Sequence, residues 1–155
     1  MKDIFIDADI ANTFANTQDS HKVELIEWLL KNKDAYLVIS NALRGEYING
    51  NTDCDKIYSI RCIYFELQKE DRINPISNEE IKKFQQQFFN WGTITCKRKG
   101  SHDPEHIACI FLSNRRMAIV KDGKFHKDLL NFHPKKKVKG QKLIVTDCAS
   151  KLNYK

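Results

Sequence analysis

The 155 residues are enough for one domain with a sizeable core, and 41% apolar with 30% charged residues is the composition of a globular chain rather than a disordered or fibrous one. No apolar run reaches the length of a membrane span, and M-K-D-I-F-I-D puts acids where a signal peptide needs an unbroken apolar segment. Membrane and secreted classes are therefore not expected, and a cytoplasmic location is. The net charge of +6 is split: residues 1–60 hold 6 Lys and Arg against 10 Asp and Glu, whereas residues 93–155 hold 15 against 5. Such a split suits an acidic site that must meet a polyanion, though a lysine-rich solvated surface gives the same tally. The five cysteines, Cys54, Cys62, Cys96, Cys109 and Cys148, are odd in number and widely spaced, as expected of reduced thiols.

Residues 3–7 read as a short apolar strand. D-S-H-K-V-E-L-I-E-W-L-L-K-N-K follows as a helix with Val23, Ile26, Leu29 and Leu30 on one face. A-Y-L-V-I-S, 35–40, is a buried-type strand, and Ser40 is placed to cap the helix N-A-L-R-G-E-Y. From Asp55 to Lys69, Ile57, Ile60, Tyr64 and Leu67 recur at helical spacing. A short extended piece is expected near Asn74-Pro75. S-N-E-E is a capping box that opens a helix with Ile81, Phe84 and Phe88 inward, and Gly92 is placed to end it.

Asp103 then caps a helix with Pro104 at its first position. Strands are expected at 117–121 and 142–146, with a helix over 124–132 and a basic loop, H-P-K-K-K-V-K-G-Q-K, between them. There is no internal repeat and no linker long enough to divide residues 1–155, so a single domain is expected. Short apolar strands alternating with helices imply a mainly parallel sheet with helices on both faces. In such sheets ligands bind outside the carboxyl ends of the strands.

That edge is where the acids gather. Asp7 ends the first strand, Asp122 follows the strand that begins at Met117, Asp103 opens the helix before it, and Glu46 lies about two turns into the helix after the second strand. Four carboxylates in one crevice raise each other's pKa unless a cation lies between them. Mg²⁺ or Mn²⁺ takes oxygen ligands in such clusters and assists hydrolysis of phosphodiesters. Each acid also has an ordinary explanation. Asp7 and Asp103 are helix caps, Asp122-Gly123 is a turn, and Glu46 is a solvated residue on a helix face.

I-F-I-D-A-D-I, L-R-G-E-Y, D-P-E-H-I-A-C-I-F-L-S and M-A-I-V-K-D, in this order and spacing over residues 4–132, resemble a PIN-domain ribonuclease. The resemblance implies a compact three-layer α/β/α sandwich and Mg²⁺- or Mn²⁺-dependent endoribonuclease activity on single-stranded or structured RNA. It assigns Asp7, Glu46, Asp103 and Asp122 as the acidic quartet, with Asp7, Asp103 and Asp122 on the metal. The size resembles the VapC-type toxin branch, which implies a small antitoxin protein as partner, with a homodimer also to be considered. Two positions depart from the family pattern. Asp9 stands where Ser, Thr or Asn is usual, and on a continuing strand it would point the same way as Asp7, as a fifth metal ligand or an acid supporting the ligands. Val120 stands where Thr is usual. The rival I-V-T-D, ending at Asp147, lies too far beyond Asp103 to supply the last acid.

Other constellations compete. Cys96, His102, His106 and Cys109 form C-x5-H-x3-H-x2-C, a spacing of no common zinc finger, with Cys109 in an apolar stretch. His106, three residues after Asp103, is placed to face the same crevice, but a surface histidine is the expectation. Lys97, Arg98, Lys99, Arg115, Arg116, Lys135, Lys136 and Lys137 are candidate phosphate contacts flanking Asp103 and Asp122. F-F-N-W, 88–91, offers rings for base stacking, although aromatic residues on a capped amphipathic helix more often face a core. The function expected is a metal-dependent endoribonuclease. The alternative is a module of the same fold that binds RNA or a partner without cutting.

Overall fold

The structure is a computed structural model that describes residues 1–50, 58–132 and 137–155. Cys54, Ile57, Lys135 and Lys136 lie outside the described residues.

Five strands form one all-parallel sheet: β1 (Lys2–Ile6), β2 (Ala35–Ile39), β3 (Ile73–Pro75), β4 (Met117–Ile119) and β5 (Ile144–Thr146), in the order β3-β2-β1-β4-β5. Each strand returns through helix: α1 (Ala8–Ala11) and α2 (Ser20–Lys31), α3 (Asn41–Asn49) and α4 (Ile60–Lys69), α5 (Asn78–Phe88) and α6 (Asp103–Leu112), then α7 (Lys124–Leu130). Helices flank the sheet in the three-layer α/β/α manner expected. α2 packs against β2 and α4, while α6 packs against β2, α5 and α7. No helix among the described residues is long and apolar enough to cross a membrane.

β1 sits at the centre. Phe5 and Ile6 pair with Ala118 and Ile119 on one side, and Ile4 pairs with Leu37 on the other. Covered on both faces, Ile4, Phe5 and Ile6 are fully buried. This is why the strand is an unbroken apolar run rather than an alternating one. Tyr47, also fully buried, donates its hydroxyl to the carbonyl of Ile6, and the Asp7 N–H donates to Ile119 O at 2.9 Å. The chain is thus held on both sides where β1 gives way to Asp7.

Local capping chemistry sets the starts of α2, α3 and α5. Asp19 accepts from the His21 and Lys22 amides, Ser40 accepts from Leu43 N at 3.1 Å, and Ser77 and Glu80 complete a capping box. Ile60, Tyr64, Leu67, Ile81 and Phe84 face the core as their spacing predicts. On α2 the buried residues are Leu25, Ile26 and Leu29, with Val23 and Leu30 half-buried. α5 ends at Phe88, before Gly92, because Phe89 turns extended and a 3₁₀ turn (Trp91–Thr93) follows. β4 and β5 are shorter than the apolar runs that contain them, because their mutual pairing extends only from Met117 with Ile144 to Ile119 with Thr146.

Candidate functional site

The carboxyl ends of β1 and β4 open into a cleft of about 340 Å³. Asp7, Asp9, Asp103 and Asp122 line it, as do Lys97, Arg98, Lys121 and Lys124. Acids stand beside an equal number of cations, so the cleft is polar but not uniformly charged.

Asp7 is the residue just past β1 and is only 8% exposed. It occupies the cap position of α1, yet its side chain caps nothing there. Burial lifts its carboxyl from the ordinary 3.8 to about 6, and the neighbouring charges of Asp9 and Asp103 push the same way. A 3.4 Å bond from the Lys121 amide and the proximity of His106 oppose the rise.

Asp103 is the first residue of α6 rather than its cap. The cap position is His102, which makes no side-chain cap bond. The Asp103 carboxyl is also raised, first by burial and further by Glu46, while His106, Ser101 and Arg98 hold it down. For Asp7 and Asp103 the capping explanation therefore fails. Two carboxylates 96 positions apart in the chain face one cleft, and neither side chain makes a capping bond.

The other acids are placed differently from expectation. β1 stops at Ile6, so Asp9 does not continue a strand. It is an exposed residue in the first turn of α1 that reaches the cleft from the helix. Asp122 follows β4 at the cleft mouth with its side chain 75% exposed, 3.6 Å from His126 Nδ1. Glu46 does not line this cleft. Its carboxylate lies 3.1 Å and 3.2 Å from His106 Nε2 and faces an adjoining hollow with Asn41, Asn49 and His102. Among the described residues no three His, Cys, Asp or Glu side chains converge closely enough to hold a metal ion. The acidic quartet does not converge on one point, because Asp122, an expected metal ligand, leans into solvent and Glu46 turns toward His106.

Asp7 and Asp103 are the cleft carboxylates that could hold a hard divalent cation. Mg²⁺ is commonly held by one or two carboxylates and completes its shell with water. Asp7 and Asp103 are two such carboxylates, with burial and mutual repulsion for a cation to relieve.

His106 corrects the surface reading: it is fully buried, between Phe5 at 5.5 Å and Phe125 at 6.1 Å. Its Nε2 is on Glu46 and its Nδ1 has no partner among the described residues. The zinc spacing dissolves for the same reason. His106 is taken by Glu46, His102 is exposed beside Glu105 at 3.5 Å, and the Cys96 and Cys109 thiols are buried and pushed upward by burial. Cys96, Cys109 and Cys148 form no disulfide.

The basic residues divide. Lys97 and Arg98 line the cleft and Lys99 is exposed on the same loop. Arg116 is a correction. It is 6% exposed, and its guanidinium donates to the carbonyls of Phe111, Val138, Lys139 and Gln141. Most of the fork's N–H donors are spent in that nest, and its burial gives a phosphate no approach. Arg115 donates to Tyr154 O at 2.8 Å and its amide donates to Asp3, on the amino side of β4 and away from the cleft. Lys137 lines a separate groove along α5 and α6.

Lys121 and Lys124 are the cleft residues that sequence reading missed, although both stand in the K-D-G-K run around Asp122. Two further acids are structural. Asp3, fully buried, accepts from Asn74 Nδ2, Asn114 N and Arg115 N at 2.6–2.9 Å. Asp128 accepts from Thr95 N, Thr95 Oγ1 and Cys96 N at 2.9, 2.6 and 2.7 Å, which fixes the loop carrying Lys97 and Arg98.

The chain matches no protein-family model, no curated protein and no solved structure. A functional reading therefore stands on its own residues.

Proposed function

We propose that the chain is a metal-dependent endoribonuclease of the PIN-like kind its motif order resembles. The observation that carries this reading is the meeting of Asp7 and Asp103 in one cleft, both raised by burial, neither serving as a cap, with four cations beside them. Carboxyls kept this costly at a sheet edge are a functional-site signature.

Asp7 and Asp103 would hold Mg²⁺ or Mn²⁺ with water completing the shell. The cation, when bound, supplies charge against the phosphate oxygens and acidifies water for hydrolysis. Lys97, Arg98, Lys121 and Lys124 bind the phosphates on either side and offset the repulsion between an acidic floor and a polyanion. His106 positions Glu46 and brings its own ring close to both aspartates. Asp9 and Asp122, exposed at the mouth, are free to accept from waters around the ion. A small inhibitory protein and a second copy of the chain are the partners this reading implies.

A second reading is a binding module that does not cut, and the exposure of Asp122 favours it. Purified protein with single-stranded RNA separates the two. Cleavage should appear with Mg²⁺ or Mn²⁺, stop with EDTA, and vanish in Asp7→Asn and Asp103→Asn but not in Asp147→Asn. Binding without any cleavage, in the wild type and under either ion, selects the second reading.

A further inference from the structure

Trp91 is one of only two tryptophans, and the residue is 46% exposed. It is the last member of an otherwise covered aromatic chain. Phe89 lies 5.6 Å from the buried Phe132 and 6.2 Å from the buried Phe84, and Trp91 stands edge-on to Phe89 at 5.0 Å. Apolar neighbours were available to bury the indole, yet Trp91 stays exposed, on the turn just before the cleft-lining stretch 95–98 that Lys97 belongs to, with its carbonyl bonded by Lys97.

The backbone that carries the ring is also held. Asn90 accepts from Gly92 N at 3.1 Å and Thr93 Oγ1 donates to Asn90 O at 2.8 Å, closing the 3₁₀ turn. Lys97 Nζ donates to the Trp91 carbonyl, and Lys97 itself lines the cleft. Just before Lys97 in the chain, Asp128 holds Thr95 and Cys96. A backbone ordered before its ligand arrives loses little freedom on binding.

We propose that Trp91 is a base-stacking platform at the cleft rim, taking one unpaired base of a single-stranded RNA whose phosphates run along Lys97, Arg98 and Lys99. The identity of the polymer rests on the ribonuclease reading; the contact rests on the placement of the ring and the basic loop. Every base has a π face, so the platform tolerates any sequence. Double-stranded RNA, whose bases are already stacked, cannot use it.

The test uses the full chain with Asp7→Asn, which holds RNA without cutting it, and Trp28→Phe, which leaves Trp91 as the only tryptophan. Poly(U) in low salt with EDTA should quench the indole fluorescence, and duplex RNA of equal length should not. Trp91→Leu keeps an apolar cover over Phe89 but has no π face. It should bind poly(U) about tenfold more weakly by anisotropy, one stacked base being worth roughly 5- to 150-fold. Trp91→Phe should lose only a few-fold, which keeps the proposal testable if the leucine variant folds poorly. Oligo(dT) quenching as well as poly(U), or less, supports the proposal; quenching better than poly(U) overturns the assignment to RNA. No quenching by poly(U), or unchanged poly(U) affinity in the leucine variant with only a lower melting temperature, reduces Trp91 to a cover for Phe89. In that case cleavage by the wild type would still uphold the nuclease. Quenching by poly(U) in a protein whose wild type never cuts would do the reverse.

Discussion

Asp7 is where the cost of the site is concentrated. The folded chain holds its proton more tightly than the unfolded chain does, 3.8 becoming about 6. Stability from this group is therefore complete below about pH 3.8, falls as pH rises between those values, and is lost above about pH 6, by up to roughly 3 kcal/mol. Asp7→Asn should accordingly be more stable than the wild type at about pH 7 in EDTA, with the difference vanishing near pH 4. Urea unfolding at intervals from about pH 4 to about pH 7 measures it, and a variant less stable at the upper end would show that burial is not the dominant influence on this carboxyl. His106 carries the opposite expectation. It is buried with Nε2 on Glu46, so His106→Ala leaves a cavity and a half-buried carboxylate without its partner. A loss of about 2 kcal/mol or more is expected. His106→Gln, which keeps a donor, should recover part of it in the same unfolding assay.

The segment from Asn90 to Lys99 behaves as an element although it contains only one short turn. Its shape comes from hydrogen bonds to side chains: Asn90 within the turn, Lys97 back to Trp91, and Asp128 of α7 beneath Thr95 and Cys96. Asp128→Asn turns an amide N–H₂ toward amides that need acceptors. It should cost about 1–3 kcal/mol, and should speed hydrogen exchange at the Thr95 and Cys96 amides while leaving β1 protected. Protection unchanged at those two amides would mean the loop is held by something else. No periodicity in the sequence marks this segment, because its order depends on an acceptor 32 and 33 positions further along. α5 shows the contrast: its capping box joins Ser77 to Glu80, only three residues away, and is legible directly.

At the scale of the molecule, the basic half of the chain does not form one surface. Arg116 is built into the fold, Arg115 ties down the C-terminal segment, Lys137 lines another groove, and among the described residues Lys97, Arg98, Lys121 and Lys124 line the cleft, with Lys99 exposed on the same loop. Replacing Lys97, Arg98 and Lys99 with Ala should therefore flatten the salt dependence of RNA affinity by about one unit for each phosphate no longer neutralised. Lys137→Ala should leave that slope unchanged. Filter binding across a salt series reads both, and equal slopes for all three proteins would remove the loop from the interface. Ion binding should also register globally. A cation that binds only the folded chain stabilises it by about 2.7 kcal/mol at a hundred times its Kd. Mg²⁺ should therefore raise the melting temperature of the wild type, and raise that of Asp7→Asn and Asp103→Asn much less.

The order of strands and helices, the parallel sheet and the caps at Asp19, Ser40 and Ser77 follow from contacts within a few residues and from apolar periodicity, and these the sequence by itself determined. It also placed Asp7 and Asp103 at the carboxyl edge, since that edge follows from strand direction alone. What a carboxylate or guanidinium does there depends on which distant groups surround it, and only the tertiary structure decided that. Asp3 and Asp128 became internal acceptors, Glu46 turned to His106, Asp122 stayed in solvent, and Arg116 was enclosed by four carbonyls. The physical reason is that burial and hydrogen-bond partners, which set a charged group's pKa and availability, are properties of contacts between residues far apart in the chain.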